Sequence, residues 1–286
     1  MTDVPPPPDP GPSPRRGRLG RAVLLLVTVV VVAAVALGLY LGARPLPQEP
    51  APAPPSPSPT TSATPRPDPL AGLHVVLDPG HNGRNAAATA EVNAPTDDGR
   101  GGTKACNTVG TATLSGYPEH AFTWDVAVRT RALLEVAGAT VTLTREDDAG
   151  VGPCVDERGR SAQEHDGDLL VSLHADGSED PQVRGYFAIV SEPPLNEAQG
   201  EPSRALALAM LKALGAAGFT PSSSYAGALS QRPDLGTLNW AERPVVMLEL
   251  AQMHNAAEAA VLETEEGRQR YAAAIADGVG RWAEER

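Results

Sequence analysis

Aromatic residues are scarce in this chain: three Trp, five Tyr and three Phe among 286 residues. Proteins that hold single-stranded nucleic acid stack its bases on aromatic side chains, so this composition speaks against that class. Only two cysteines are present, Cys106 and Cys154. They cannot make a disulfide-rich scaffold or a four-cysteine zinc site. Positive charge is short over most of the chain. Residues 71–286 carry 17 basic against 31 acidic residues, a net of −14, whereas residues 1–70 carry six against four, a net of +2. A −14 segment is ill suited to neutralising phosphates, so no nucleic-acid partner is expected. Charge alone would not draw it to an anionic lipid surface either. No internal repeat is visible.

What is abundant is unevenly placed. Of 29 prolines, 18 fall within residues 1–70. Residues 1–21 form a Pro/Arg-rich tail closed by Arg15, Arg16, Arg18 and Arg21. Residues 22–43 contain no charge, and these 22 residues suffice for a helix across a hydrocarbon core of roughly 30 Å. Cleavable signals usually have an apolar stretch of only about 7–15 residues. The span therefore reads as a transmembrane signal anchor; Leu41-Gly42-Ala43 leaves open cleavage near Ala43 and release. Four arginines before the span and one, Arg44, just after it put the N-terminus in the cytoplasm and the rest of the chain outside. Residues 44–70 hold 11 prolines and no apolar periodicity, and read as a linker.

Residues 71–286 read as alternating strands and helices. Apolar or β-branched runs at 74–78, 139–144, 168–174, 185–190 and 244–250 predict strands. Helices are expected at 119–137, 156–164 and 202–217, with two more after Asn255. In the first helix Phe122, Val126, Leu133 and Val136 give the apolar spacing, and Gly138 the stop. This alternation predicts an α/β fold: a mostly parallel twisted sheet with helices on both faces. Residues 83–115, rich in Gly, Thr, Asn and Asp, read as a long loop containing Cys106; Cys154 lies in a second loop. Outside the cytoplasm such a pair is expected to be bonded, which would stabilise by roughly 4 kcal/mol through loss of chain entropy. The alternative is two unrelated buried thiols.

Three strands end in residues with chemistry: His81 after Asp78-Pro79-Gly80, His174 before Ala175-Asp176-Gly177, and Glu249 inside Val245-Val246-Met247-Leu248-Glu249-Leu250. In parallel α/β sheets ligands gather at the carboxyl ends of strands, so distant residues can converge there. Glu119 opens a helix after Gly116-Tyr117-Pro118. Two histidines and a carboxylate with an open fourth position form a common catalytic zinc set, and a second carboxylate could shuttle protons. His81, Glu119, His174 and Glu249 supply those parts. The bland alternatives stay open: strand-end histidines are often structural, and Glu119 could merely complement a helix dipole. Glu249 is harder to dismiss, because an acid in an apolar strand needs a partner or a role. His74, His120 and His165 fit the site less well, while His254 could support it or face a substrate.

The same residues resemble the four ordered signature blocks of the zinc-dependent N-acetylmuramoyl-L-alanine amidases. The blocks are residues 75–81, Glu119 with Trp124-Asp125-Val126-Ala127, residues 169–176 and residues 245–250, and the likeness spans residues 73–284. The resemblance implies that His81, Glu119 and His174 bind Zn2+ and that Glu249 is the catalytic glutamate. Arg158 falls where the family often has an arginine, which implies a structural role. The substrate implied is peptidoglycan, cut between N-acetylmuramic acid and L-alanine during cell-wall remodelling, by a monomeric catalytic domain over residues 71–286. Rival readings are a zinc peptidase or deacylase acting on another wall amide, and a non-catalytic wall-binding or regulatory domain. After Glu249 the chain departs from many members, reading Leu250-Ala251-Gln252-Met253-His254-Asn255 in place of an aromatic followed by Ser-Asn. That ending, with 2 lysines against 21 arginines, is similar to an actinobacterial branch. Neither a long helical insertion of the kind that plugs the site nor a wall-binding repeat is evident.

Overall fold

A computed structural model describes residues 69–286; the tail 1–21, the span 22–43 and nearly all of the linker 44–70 lie outside the described residues. Among the described residues no helix is long and apolar enough to cross a membrane. Six strands form the main sheet: β1 His74–Pro79, β2 Thr140–Leu143, β3 Leu169–Asp176, β4 Phe187–Ser191, β5 Leu229–Arg232 and β6 Val245–Gln252. Their order is β2-β1-β3-β6-β4-β5. Every pair is parallel except β4 with β6. The central strands β1, β3 and β6 and their neighbour β4 carry apolar runs and are almost wholly buried, as cover on both faces requires.

Five longer helices cover the sheet: α1 Glu119–Val136, α2 Val155–Glu164, α3 Glu201–Ala216, α4 Ala256–Leu262 and α5 Glu265–Glu285. Helix α5 packs on both α1 and α3, making one layer. Helix α2 packs on β1, β3 and the single-turn helix Gly236–Asn239. The expected sheet and helices are therefore present, with two corrections of detail. In α1 the buried stripe is Phe122, Val126, Thr130 and Leu134, flanked by Thr123 and Ala127. Val136 is 85% exposed. Strict four-residue steps from Phe122 end on Leu134, and Val136 lies two residues, about 200°, further round. Gly138, at φ 95°, ends the turn as expected.

The second correction concerns segments without an apolar pattern. Within the expected loop 83–115, Pro95–Asp97 and Thr103–Ala105 pair as an antiparallel ribbon. Its order comes from elsewhere: Trp240 Nε1 donates to the Asp97 carbonyl at 3.0 Å and Asn239 Nδ2 to that of Asp98 at 2.8 Å. Strand β5, Leu-Ser-Gln-Arg, likewise has no apolar run and exists because β4 offers it an edge. Cys106 and Cys154 are disulfide-bonded, as expected, joining the end of the ribbon to the start of α2.

Candidate active site

Strand register brings the sequence-distant candidates together. His174 and Glu249 are direct partners across β3 and β6, and Pro79 lies opposite Leu173 across β1 and β3. The chain leaves β1 through Gly80, whose N–H donates to the Leu173 carbonyl at 2.9 Å. A Cβ at Gly80 would lie 2.3 Å from the His174 ring, so only glycine fits there. His81 follows at φ 63°, in the left-handed region, at a strain of about 1–3 kcal/mol. That turn aims its ring at the first residue of α1.

Glu119 bridges the two histidines. Its Oε2 lies 3.0 Å from His81 Nε2 and its Oε1 3.0 Å from His174 Nδ1. All three residues are buried. The Glu119 carboxylate also accepts the N–H groups of Thr111, at 3.0 Å, and Ala175, at 3.1 Å. Burial by itself would raise the Glu119 pKa; the positive potential of His81 and the hydrogen bonds from both rings outweigh it and hold the carboxyl well below the usual range. Burial pulls the His174 pKa down, against the hydrogen bond to Glu119.

The surrounding shell fixes both rings. His81 Nδ1 lies 3.0 Å from the Thr108 carbonyl, which makes Nδ1 a donor there and turns Nε2 toward Glu119. Arg158 Nη2 donates to His174 Nε2 at 3.1 Å. The same guanidinium grips Asp78 twice, at 2.8 Å through Nε and 2.8 Å through Nη2. Asp78 is fully buried and accepts from Ser172 Oγ at 2.6 Å and Thr144 Oγ1 at 2.7 Å as well. The Asp78–Arg158 pair therefore sits directly beneath the histidine cluster. Gly110, at φ 83°, lets the loop carrying Thr108 and Thr111 close on the site; a Cβ there would meet the His81 ring at 2.8 Å.

One ligand atom each from His81, Glu119 and His174 can be chosen within 4.8 Å of one another, a spread that a metal ion could span. Two imidazole nitrogens and a carboxylate, at these separations, match the donor set of a tetrahedral zinc site with an open position. Glu249 is half-buried and faces the same open cleft of about 490 Å3. Its Oε2 is shielded from solvent and has no hydrogen-bond partner. Burial first, then the negative charges of Glu119 and Asp176, push its pKa well above the usual value.

The remaining histidines are accounted for. His74, at the opposite end of β1, faces Thr142 Oγ1 at 2.9 Å. His120 pairs with Asp148 at 2.7 Å, and His165 bonds the Ser161 carbonyl at the end of α2. His254 lies behind the cleft: its Nδ1 donates to the Ser178 carbonyl at 2.7 Å and its Nε2 is 3.3 Å from Thr111 Oγ1. It props the residue whose N–H holds Glu119. The sequence reading did not single out Asp78, Thr108, Thr111 or Lys104. Asp78 carried a usable signal, an acid ending an apolar strand; the other three lie in a segment without periodicity.

An α/β sheet that gathers two histidines at its central strand ends and a carboxylate from the start of a helix, beside a half-buried glutamate with an unpartnered oxygen, defines a hydrolase-type site. The sequence pattern of the N-acetylmuramoyl-L-alanine amidases matches residues 75–281. The chain is 46% identical over 215 residues to the N-acetylmuramoyl-L-alanine amidase Rv3717 of Mycobacterium tuberculosis, covering 74% of this chain and 87% of that one. It is similar in structure to Ami1, an N-acetylmuramyl-L-alanine amidase of Mycobacterium smegmatis, with a TM-score of 0.73, 43% identity, and coverage of 76% of this chain and 99% of that one. Ami1 of Mycobacterium abscessus gives a TM-score of 0.72 and 43% identity, covering 74% of this chain and 99% of that one. The chain belongs to the N-acetylmuramoyl-L-alanine amidase family, in keeping with the actinobacterial likeness of its sequence. It is an amidase acting on peptidoglycan.

Proposed function

We propose that the chain is a zinc-dependent amidase of cell-wall remodelling, cutting the amide between the lactyl group of N-acetylmuramic acid and L-alanine. The observation that carries this reading is the convergence of His81, Glu119 and His174 beside the orphaned Glu249. The three would hold the metal. Zinc bound there would supply Lewis-acid polarisation of the scissile carbonyl and activation of a water. Glu249 accepts the proton of the attacking water and returns it to the departing amine. A carboxyl whose ionised form is disfavoured by its surroundings is suited to both halves of that transfer. Arg158 and the Thr108 carbonyl hold the two rings in place. Incubating the full-length chain with peptidoglycan and reading the products by mass spectrometry tests the reading. Peptides beginning with L-alanine and peptide-free glycan are expected; cleavage at another wall amide would favour a peptidase or deacylase.

The metal assignment has its own expected result. Gently purified protein should carry close to one zinc per chain by elemental analysis. His174→Ala should lose most of it, since one of three protein ligands is gone. Full retention of metal by that variant would remove His174 from the centre.

We further propose that residues 22–43 anchor the chain in the cell membrane as a single pass, with residues 44–70 as a linker and residues 71–286 as a monomeric catalytic domain on the wall side. The support is the 22-residue uncharged span and the arginines that precede it. Reporter fusions after Arg21 and after Pro69 should give opposite compartment signals. Protease added to intact protoplasts should release the catalytic domain. Protection until lysis would reverse the topology, and mature protein starting near Arg44 would show cleavage and secretion instead.

A further inference from the structure

The cleft lining has two permanently or readily charged cations, Lys104 and Arg158, against the carboxylates of Glu119, Asp176 and Glu249. Arg158 is committed to Asp78. Lys104 is not committed to any carboxylate: its Nζ donates to the backbone carbonyl of Asp234, while the Asp234 carboxylate is gripped at both oxygens by Arg232. An ammonium has three N–H donors, so its hydrogen-bonding capacity is only partly used. Burial pulls the Lys104 pKa down, opposed by the Asp234 charge, as expected of a half-buried ammonium short of counter-charge.

Its placement is built rather than incidental. Lys104 is the central residue of the ribbon strand Thr103–Ala105, paired with Thr96. The ribbon tip is tied down by Arg100, whose Nη2 donates to Ser191 Oγ at 2.8 Å and whose Nε donates to Asn239 Oδ1 at 3.1 Å. The aliphatic stem crosses Gly236, where an added Cβ would lie 3.3 Å from Lys104 Cδ and 2.8 Å from Val155 Cγ2. A lysine on an open surface must give up rotamer entropy to hold a ligand; a stem laid in a groove has already lost that freedom.

We propose that Lys104 is a specificity-determining residue of this cleft, whose ammonium receives a carboxylate of the substrate's peptide stem and so sets which way the substrate lies. This rests on the amidase reading above. In a muramoyl peptide the lactyl carboxyl is consumed in the scissile amide, so the negative charge lies on the peptide side. Among the cationic side chains described in this cleft, Lys104 is the one not already held by a carboxylate, and so offers that charge a free side-chain partner. The glycan side, uncharged, falls toward the acidic part of the lining.

The test compares two probes with the full-length, zinc-loaded chain: N-acetylmuramoyl-L-alanyl-D-glutamate, with both glutamate carboxylates free, and its diamide, in which both are amides. Lys104→Met should raise KM for the acid about tenfold or more, with kcat within about twofold, the worth of one charge-assisted hydrogen bond. For the amide probe the variant and the native chain should have the same KM. Lys104→Arg should restore most of the acid preference, and Lys104→Gln, which keeps a polar stem, should behave like Lys104→Met if the latter folds poorly. A KM unchanged for the acid, or raised equally for both probes, overturns the inference while leaving the amidase reading intact. Cleavage of neither probe by the native chain overturns both.

Discussion

Glu249→Gln should leave a folded protein that still holds its metal and turns over about 10²–10⁴-fold more slowly, the usual worth of a positioned acid–base group. The substitution keeps the shape and removes the basic oxygen. Its Oε2 has no partner to lose, so no buried donor is left stranded by the change. That separates catalysis from folding. A glutamate kept for structure would be paired, and removing its charge would chiefly weaken the fold. Here the repulsion from Glu119 and Asp176 outweighs the attraction of Arg232, so a neutral side chain at 249 should leave the melting temperature unchanged or raise it. Zinc content, thermal midpoint and muramoyl-peptide hydrolysis measured on one sample decide the matter. Near-normal turnover from a stable, metal-loaded variant would end the proposed role.

Arg158→Met should have the largest effect on stability. It strands the Asp78 carboxylate in a site with no solvent contact. Removing one partner of a buried ion pair typically costs about 3–5 kcal/mol. The midpoint of thermal unfolding should fall by roughly 10 °C or more. Asp78→Asn added to Arg158→Met should recover part of the loss, because the stranded charge is gone. The pH dependence carries a sign. Burial acts to raise the Asp78 pKa, but the Arg158 charge and the bonds from Arg158, Ser172 and Thr144 bring it well below the ordinary value. A folded pKa below the unfolded one means stability that is fully present above about pH 4 and is lost as pH falls toward the folded value. Without Arg158, burial dominates and the folded pKa lies above the unfolded one. The Asp78 contribution then reverses: the variant should gain stability as pH falls toward about 4, a range in which the native contribution stays constant, the native loss coming only below it. Urea unfolding of both proteins across pH 3–7 measures this; parallel profiles would show that Arg158 does not carry the Asp78 charge.

Much of this protein was legible from local pattern. The apolar runs of β1, β3 and β6 and the helical spacing of Phe122 and Val126 are one-dimensional signals. Burial on both faces demands them wherever the chain passes through the middle of a sheet. The chemistry-bearing residues were legible for a related reason. His81, His174 and Glu249 interrupt or end apolar strands, where a polar side chain is costly without a role. The cysteine pair was legible in part, since two cysteines expected outside the cytoplasm have one pairing to make, and the bond between Cys106 and Cys154 is present.

What local pattern could not contain was decided by tertiary contact. Strand β5 and the ribbon at 95–105 have no apolar periodicity; an open sheet edge and the side chains of Asn239 and Trp240 give them their structure. Val136 looks like core by spacing from Leu133, yet the stripe that meets the sheet ends on Leu134. The convergence of four site residues depends on register, Pro79 against Leu173 and His174 against Glu249, which arises only when three strands lie side by side. The setting of that site is a tertiary property in the same sense. Arg158 reaches Asp78 and His174 across 80 and 16 positions of sequence, and Lys104 enters the cleft only because its ribbon is tied down from the far end of the chain. Residue types and their order along the chain dictate which groups are present. Side-chain environment, and with it charge, pKa and orientation, depends on which distant segments exclude water from them, and folding alone assembles those segments.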